Sequence, residues 1–498
     1  MSGDLLILGA GPTGLAVAKA LADRGLDYIQ VEARDAVGGN WVDGVYESAH
    51  LISSKETTQY ADFPMPAAYP DFPSAAQMRT YFHAYAERFG LLPKIRFGVE
   101  VTSVRPAANG DGWDVTLRER GGEVTSRHFR GVIVCNGHHW KKSFPPWASA
   151  FTGEALHSKD YEHADQLRGK RVLVVGGGNS GCDIVSEAAR VATSTDWSLR
   201  RGYWFIPKTI FGVPTIQMLK PWLPVPLQRA VMRALLPIVV GPYATYGLPR
   251  PDHKIFEAHP SVSTEVFHYL KHGRITPRPD VASVDGRRVT FVGTDGTREL
   301  PPGPPGKEPG GAPKARGVEY DMVVFATGFD VSFPFLPDGM VPIVGKAPQL
   351  YGSMVLPEHR HLWIVGAYQP RYGIGPLLTP LGRLIAALVP LQDELVVPLG
   401  KLLQSLGVKP PTTHLVDPHA ALRRLAVGLR AVPFLRWQAR RRGWLAPQGA
   451  GNPDHAPKDG ASSSSTDHEP EPEHRSRARA PITSPSADQL NPARRATP

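Results

Sequence analysis

Two glycine-rich turns, GAGPTG at Gly9–Gly14 and GGGNSG at Gly176–Gly181, constrain this chain more than any other feature. Each follows a short apolar run (Asp4–Leu8 and Arg171–Val175). Each precedes a stretch with helical periodicity, expected at Leu15–Arg24 and Cys182–Ala192. In such a strand–turn–helix unit the first glycine permits the tight turn. The second lets the backbone approach a pyrophosphate, and the third lets the helix pack on the strand. The helix N-terminus then offers unpaired N–H groups and a positive dipole end to phosphate. A second apolar run, Tyr28–Val31, ends at Glu32, an acid placed to accept hydrogen bonds from a ribose. In the second unit Arg200 and Arg201 stand at the corresponding strand end, where guanidinium groups suit a 2′-phosphate and hence NADP. The competing reading makes both arginines solvated strand-end charges.

At 498 residues the chain has room for about three domains. Cys135 and Cys182 are its two cysteines, each inside an apolar motif, which argues against a disulfide framework and fits a reducing cytosol. They also leave the chain without the C-x-x-C pair of a flavin disulfide reductase. The net charge of +10 suits anionic cofactors and forms no recognisable nucleic-acid motif. The apolar N-terminal run is too short for a signal peptide, and lysine, arginine and proline interrupt Leu219–Val240. A soluble, cytoplasmic protein is expected, with no metal site.

Gly38-Gly39-Asn40-Trp41 suggests backbone passing close to a flat ligand with the indole as a lid; a turn with a core tryptophan is the alternative. His50–Pro66 reads as a loop over the site, Ala75–Gly90 as a helix, and Val99–Val104 and Trp113–Leu117 as strands. Buried strands follow at Gly131–Cys135, Met322–Ala326 and Leu362–Val365. Tyr203–Pro249 is expected to pack over the second unit, with weak peripheral membrane contact as the lesser alternative. Between the units lies FTGEALHSKDY, Phe151–Tyr161. Here Gly153 is expected to supply unusual dihedrals, the aromatics to anchor a hinge, and His157 to face a cofactor.

GAGPTG, Glu32, GGNW, FTGEALHSKDY, GGGNSGCDI, Arg200-Arg201 and FATGF together resemble the flavin-containing monooxygenases, class B flavoprotein monooxygenases. The likeness runs from about Asp4 to Ala387, and Tyr161 resembles the N- and S-oxygenating branch. It implies an α/β fold of two Rossmann-like domains, the NADPH domain inserted in the FAD domain, with a helical C-terminal extension and a disordered tail. The expected bounds are 1–157 and 274–400 for FAD, 158–273 for NADPH, 401–446 for the basic helical extension and 447–498 for the tail. Residues 300–317 are expected to form a disordered loop. FAD would meet Gly9, Gly11, Pro12, Thr13, Gly14, Glu32, Asn40, Trp41 and Ser53. NADPH would meet Gly176, Gly178, Asn179, Ser180, Gly181, Arg200 and Arg201, with Thr327 and Gly328 nearby. His157 and Tyr161 are the candidate catalytic residues. The implied chemistry forms a C4a-(hydro)peroxyflavin and passes one oxygen atom of O2 to a soft nitrogen or sulfur centre of a small organic substrate. A Baeyer–Villiger or decarboxylating oxygenase, or a poorly coupled NADPH oxidase, is the alternative. The chain departs from the family at Ile52, which occupies the usual asparagine position before Ser53-Ser54-Lys55-Glu56 and can neither donate nor accept a hydrogen bond.

Overall fold

In a computed structural model, which describes residues 4–219, 224–293, 317–371 and 373–447, the two glycine turns open two five-stranded parallel sheets built to one plan. The first runs, in spatial order, Leu362–Ile364, Gly131–Val134, Leu5–Leu8, Tyr28–Glu32 and Ile95–Phe97. The second runs Thr276–Arg278, Ser194–Ser198, Arg171–Val175, Met322–Phe325 and Glu154–His157.

Side chains alternate across a strand, so each sheet buries two faces. Leu5 and Ile7 enter a core shared with the helices Pro12–Ala22, Ala75–Arg88 and Gly375–Glu394. Leu6 meets Val115, Leu117 and Phe129 of an antiparallel three-stranded sheet on the other side. The second sheet repeats this arrangement. Val172 and Val174 pack with Ile184, Val185 and Ala188 of the helix Asn179–Val191. Leu173 and Val175 pack with Val281, Val289 and Phe291 of a second antiparallel sheet. Each such aliphatic side chain contributes roughly 1.5–3 kcal/mol on full burial.

Strand pairing revises the expected domain bounds. Thr276–Arg278 and Met322–Phe325 lie in the second sheet, so the second unit does not end at residue 273. Its edge strand, Glu154–His157, comes from the stretch assigned to the end of the first unit. The expected basic helical extension contains the helix Pro418–Arg441, and it packs on the first core. Leu402, Leu435 and Ala439 are buried in the first core, and Arg436 makes a bidentate pair with Glu394 at 2.7 and 2.8 Å. The tail from residue 448 and residues 300–316 lie outside the described residues. Tyr203–Pro249 packs as expected, sending Phe205, Ile206, Met232, Leu236 and Leu248 into the second core. Among the described residues no helix is long and apolar enough to cross a membrane.

The linker behaves differently from its sequence reading. Gly153 does not occupy the left-handed region. It is small because a Cβ there would lie 2.6 Å from the Phe151 ring and 2.9 Å from the Asp321 carbonyl oxygen. Tyr161 is 1% exposed and donates its hydroxyl to Glu187, which Ser48 also reaches. Burial, first, and then the Glu187 carboxylate push the Tyr161 hydroxyl far above its ordinary range. That places Tyr161 in a buried brace. Tyr161→Phe should lower stability by about 1–3 kcal/mol, the cost of leaving a buried acceptor short of a donor, and leave NADPH turnover near its original value. Chemical denaturation paired with a rate assay checks this; lost turnover at unchanged stability would return Tyr161 to a catalytic role.

Candidate functional site

The two turns are wired alike, contact for contact. The Gly9 N–H donates to the Val31 carbonyl at 2.8 Å, and the Gly176 N–H to the Ser198 carbonyl at 3.0 Å. Gln30 donates to the Gly9 carbonyl at 2.9 Å, and the Trp197 indole to the Gly176 carbonyl at 2.9 Å. Gly9 and Gly176 have φ of 100° and 113°. A Cβ on them would lie 2.7 Å from the Cys135 carbonyl oxygen and 2.4 Å from that of Ala326. A Cβ on Gly14 or Gly181 would sit 2.1 or 2.2 Å from the Gly9 or Gly176 oxygen. Strand and helix therefore meet at backbone contact in both units.

The middle glycines differ from these. Gly11 would bring a Cβ no nearer than 3.4 Å to Gly39 Cα, and Gly178 has nothing within 4 Å. Gly11 and Gly178 are the N-cap residues of their helices, and neither helix has a side-chain cap. The residues therefore fit a dinucleotide at each turn. Space is kept where a pyrophosphate approaches, and the helix N–H groups of Thr13 and Gly14, and of Asn179, Ser180 and Gly181, are not capped by a side chain.

Around the first turn, Glu32 is 5% exposed and accepts from the N–H groups of Ala10 at 2.7 Å and Arg34 at 3.0 Å. Pro12 offers its carbonyl to the Tyr60 hydroxyl at 2.7 Å, and Thr13 abuts Gly366. The Gly38 N–H donates to the Ala10 carbonyl at 3.0 Å, fastening the GGNW turn to the glycine turn. Gly39 has φ 59°, and its Cβ would sit 3.0 Å from Gly11 Cα. Asn40 accepts from Lys159 at 3.1 Å. Trp41 is half-buried against both the first and second cores, which makes it a packing residue and not a free lid. Ser53 is buried with its hydroxyl 2.8 Å from that of Thr58, while Ile52 is half-buried beside it. The loop is not irregular throughout: Lys55–Thr58 forms a helical turn.

In the second unit the strand register aligns Gln30 with Trp197 and Glu32 with Leu199. Leu199 is buried, so Arg200 and Arg201 lie one and two residues beyond the Glu32 position, both exposed at the mouth of the turn. Asn179 reaches across to accept from the Val262 N–H at 2.7 Å. Thr327 donates to the Ser143 carbonyl.

His157 is 1% exposed, and both of its ring nitrogens bond backbone. Nδ1 accepts from the Lys159 N–H at 3.1 Å, and Nε2 lies 3.0 Å from the Gly328 carbonyl, which fixes the proton on Nε2. Burial lowers its pKa from the ordinary histidine value. The catalytic expectation for His157 is therefore replaced: it is a neutral positioning residue. It ties the outgoing linker to Gly328 on the returning chain, where Lys141–Lys142 pairs with Phe329–Asp330.

Sequence reading passed over His138 and His139, which follow the strand Gly131–Val134 at its carboxyl end. That is where ligands bind in open α/β sheets, so the position was the available signal. No group of three or more histidine, cysteine or acidic residues among the described residues is arranged to hold a metal ion.

The geometry separates two classes of glycine by experiment. Gly178→Ala should keep its unfolding temperature yet weaken NADPH, because only the ligand meets the new methyl group. Gly181→Ala should lower the unfolding temperature by several degrees, because the methyl group meets the Gly176 carbonyl. Thermal unfolding and NADPH titration distinguish them; equal losses of stability would refute the assignment.

Residues 3–303 match the family model described as flavin-binding monooxygenase-like. Flavin-containing monooxygenase 5 of Oryctolagus cuniculus is 32% identical over 397 residues, 74% of this chain and 70% of the relative. Dimethylaniline monooxygenase [N-oxide-forming] 2 of Macaca mulatta is 31% identical over 76% of this chain and 71% of its own. In fold, the chain is similar to a closed cyclohexanone monooxygenase structure, with a TM-score of 0.65 at 16% identity, covering 87% of this chain and 97% of that one. It is also similar to S-allyl-L-cysteine S-oxygenase of Allium sativum, with a TM-score of 0.58 at 18% identity, covering 88% and 93%. The chain belongs to the flavin-binding monooxygenase-like family and is a flavoprotein monooxygenase.

Proposed function

We propose that the protein holds FAD on the first turn and NADPH on the second, and transfers one oxygen atom of O2 to a soft nitrogen or sulfur centre of a small organic molecule. The observation that carries this reading is the duplicate wiring of the turns around Gly9 and Gly176, joined by the His157–Gly328 contact. The chain supplies position and a dry setting; the reduced flavin supplies the activation of O2. Gly11 and Gly178 leave room for the two pyrophosphates, and Glu32 is placed beside the first ribose. Arg200 and Arg201 are exposed just past the strand end of the second unit, Arg201 5.6 Å from the Tyr203 ring, and their guanidinium groups suit a 2′-phosphate. His157 keeps the two units in one relation, so that the reactive ends of both cofactors meet at the same junction. The direct test supplies isotopically labelled O2, NADPH and a thioether or tertiary amine to the FAD-loaded protein. One labelled oxygen atom per product molecule is expected, whereas NADPH oxidation yielding peroxide and no labelled product would overturn the reading.

A second reading, insertion of oxygen beside a carbonyl, is favoured by one departure, the apolar Ile52 at the usual asparagine position. Cyclohexanone monooxygenase is among the structural neighbours. A ketone offered in the same labelling experiment, yielding an ester as its main product, would select it.

The arginine pair is expected to set coenzyme choice. Arg200→Ala with Arg201→Ala should weaken NADPH about tenfold to a hundredfold and leave NADH use nearly unchanged, as expected for charge-assisted contacts to one phosphate. Equal losses with both coenzymes would make the arginines structural.

The Ile52 side chain supplies no polar contact. Part of the NADPH consumed should therefore end as hydrogen peroxide, and Ile52→Asn should lower peroxide per NADPH. A peroxide yield that is already negligible, or that rises in the variant, would place the stabilising contact elsewhere in the His50–Gln59 loop.

A further inference from the structure

The helix Pro418–Arg441 has two unlike faces. Leu425, Leu429, Val432, Leu435 and Ala439 turn to the first core. On the other side Arg423, Val427, Arg430, Phe434, Trp437 and Arg441 follow one another at alternating steps of four and three residues. That spacing puts all six on one stripe of the helix. All six are exposed, Val427 by 64%, Phe434 by 49% and Trp437 by 48%. The last three rungs touch in succession. The Phe434 and Trp437 ring centroids are 5.8 Å apart, and the Arg441 guanidinium lies 4.9 Å from the Trp437 ring.

The charge on this helix is of one sign. It carries six arginines and no acidic residue across its 24 residues. The carboxylates beside it are already engaged. Asp417 caps the first turn through the Ala420 N–H at 2.8 Å and pairs with Arg371 at 3.0 Å. Glu394 holds Arg436, on the packed side. Among the described residues no ion pair engages Arg423, Arg424, Arg430 or Arg441. A solvated helix face ordinarily mixes both signs and exposes few large apolar side chains. This face does the reverse: unpaired guanidinium groups alternate with a branched side chain and two aromatic rings.

We propose that this face docks on an anionic lipid surface, with the helix lying in the plane of the headgroups. Lipid phosphates supply the counter-charge that the chain withholds, and a guanidinium can meet a phosphate through two parallel N–H donors. Val427, Phe434 and Trp437 then enter the boundary between headgroups and acyl chains, a depth that suits an indole. Arginine stems are long enough to keep their charge among the headgroups while the rings sink below it. The alternation favours lipid over nucleic acid. A sugar-phosphate backbone would satisfy the arginines but press Val427 and both rings against charge. The contact is peripheral and reversible, because it uses one helix face and no membrane-spanning segment. It is independent of the oxygenase reading, and either can fail alone.

The test uses the FAD-loaded full chain, sedimented with phosphatidylcholine vesicles and with vesicles rich in phosphatidylglycerol. Binding to the anionic vesicles should be about tenfold tighter or better, and molar salt should abolish the difference. Arg423→Ala, Arg430→Ala and Arg441→Ala together should weaken that binding roughly a hundredfold. Phe434→Ser with Trp437→Ser should weaken it about tenfold or more and keep the salt dependence. Lys401→Ala with Lys409→Ala, which removes two exposed charges from a different helix and loop, should leave it nearly unchanged. Equal binding to both kinds of vesicle, binding to neither, or an equal loss with the lysine pair overturns the proposal. So does tighter binding to duplex DNA than to anionic vesicles with the ring variant unaffected, which would assign the face to nucleic acid. If an arginine or ring variant loses FAD, the lipid and salt comparison of the unaltered protein decides, together with the lysine pair.

Discussion

The site depends on backbone packed directly against backbone at both glycine turns. The Cys135 and Ala326 carbonyls press against Gly9 and Gly176, at distances no Cβ would allow. Those carbonyls end the neighbouring strands, so each turn is braced from the side by the strand that carries the chain out of the sheet. Gln30 and Trp197 then anchor the glycine carbonyls from the opposite side at the same register position. With both sides fixed, each helix N-terminus is aimed and the middle glycine is left open. A rigid frame around a vacant backbone edge is what dinucleotide recognition requires.

Two such frames acquire a joint function only if their relation is fixed. The chain crosses between them twice, and the crossings are tied together. His157 on the outgoing strand bonds Gly328 on the returning one, and Phe329 packs 5.1 Å from the His157 ring. Tyr46, on the first crossing side, donates to Asp183 at 2.6 Å, on the helix of the second turn. Burial raises the pKa of Asp183, while this hydrogen bond opposes the rise. Phe329 also reaches His139, so the same returning segment that fixes the hinge packs against the end of the strand Gly131–Val134.

Much of this was legible in the sequence because glycine spacing and strand periodicity are local signals. The turns, their helices and the buried strands fall where Gly9–Gly14 and Gly176–Gly181 imply. The Ser74–Gln77 capping box closes the helix expected from Ala75. Sheet membership was not legible. An apolar strand such as Met322–Phe325 is buried on both faces in either unit, and only its partners distinguish them. Gly153 looked like a dihedral requirement and is a steric one, since the Phe151 ring above it cannot be read from spacing. The packing of the arginine-rich helix Pro418–Arg441 on the first core left little trace in the sequence, because its buried anchors, Leu435 and Ala439, are sparse. His138 and His139 carried only their position at a strand end; their neighbours His414 and His259 lie far away in sequence.

The central claim is that both dinucleotides are held together, each on its own turn, with their reactive ends at one junction. Titration of NADP+ into the FAD-loaded protein tests it most directly, with the flavin absorbance and the protein-bound flavin followed together. The account expects a saturable perturbation of the flavin spectrum with all of the FAD retained. Displacement of FAD by NADP+, or saturable NADP+ binding that leaves the flavin spectrum unchanged, would contradict it.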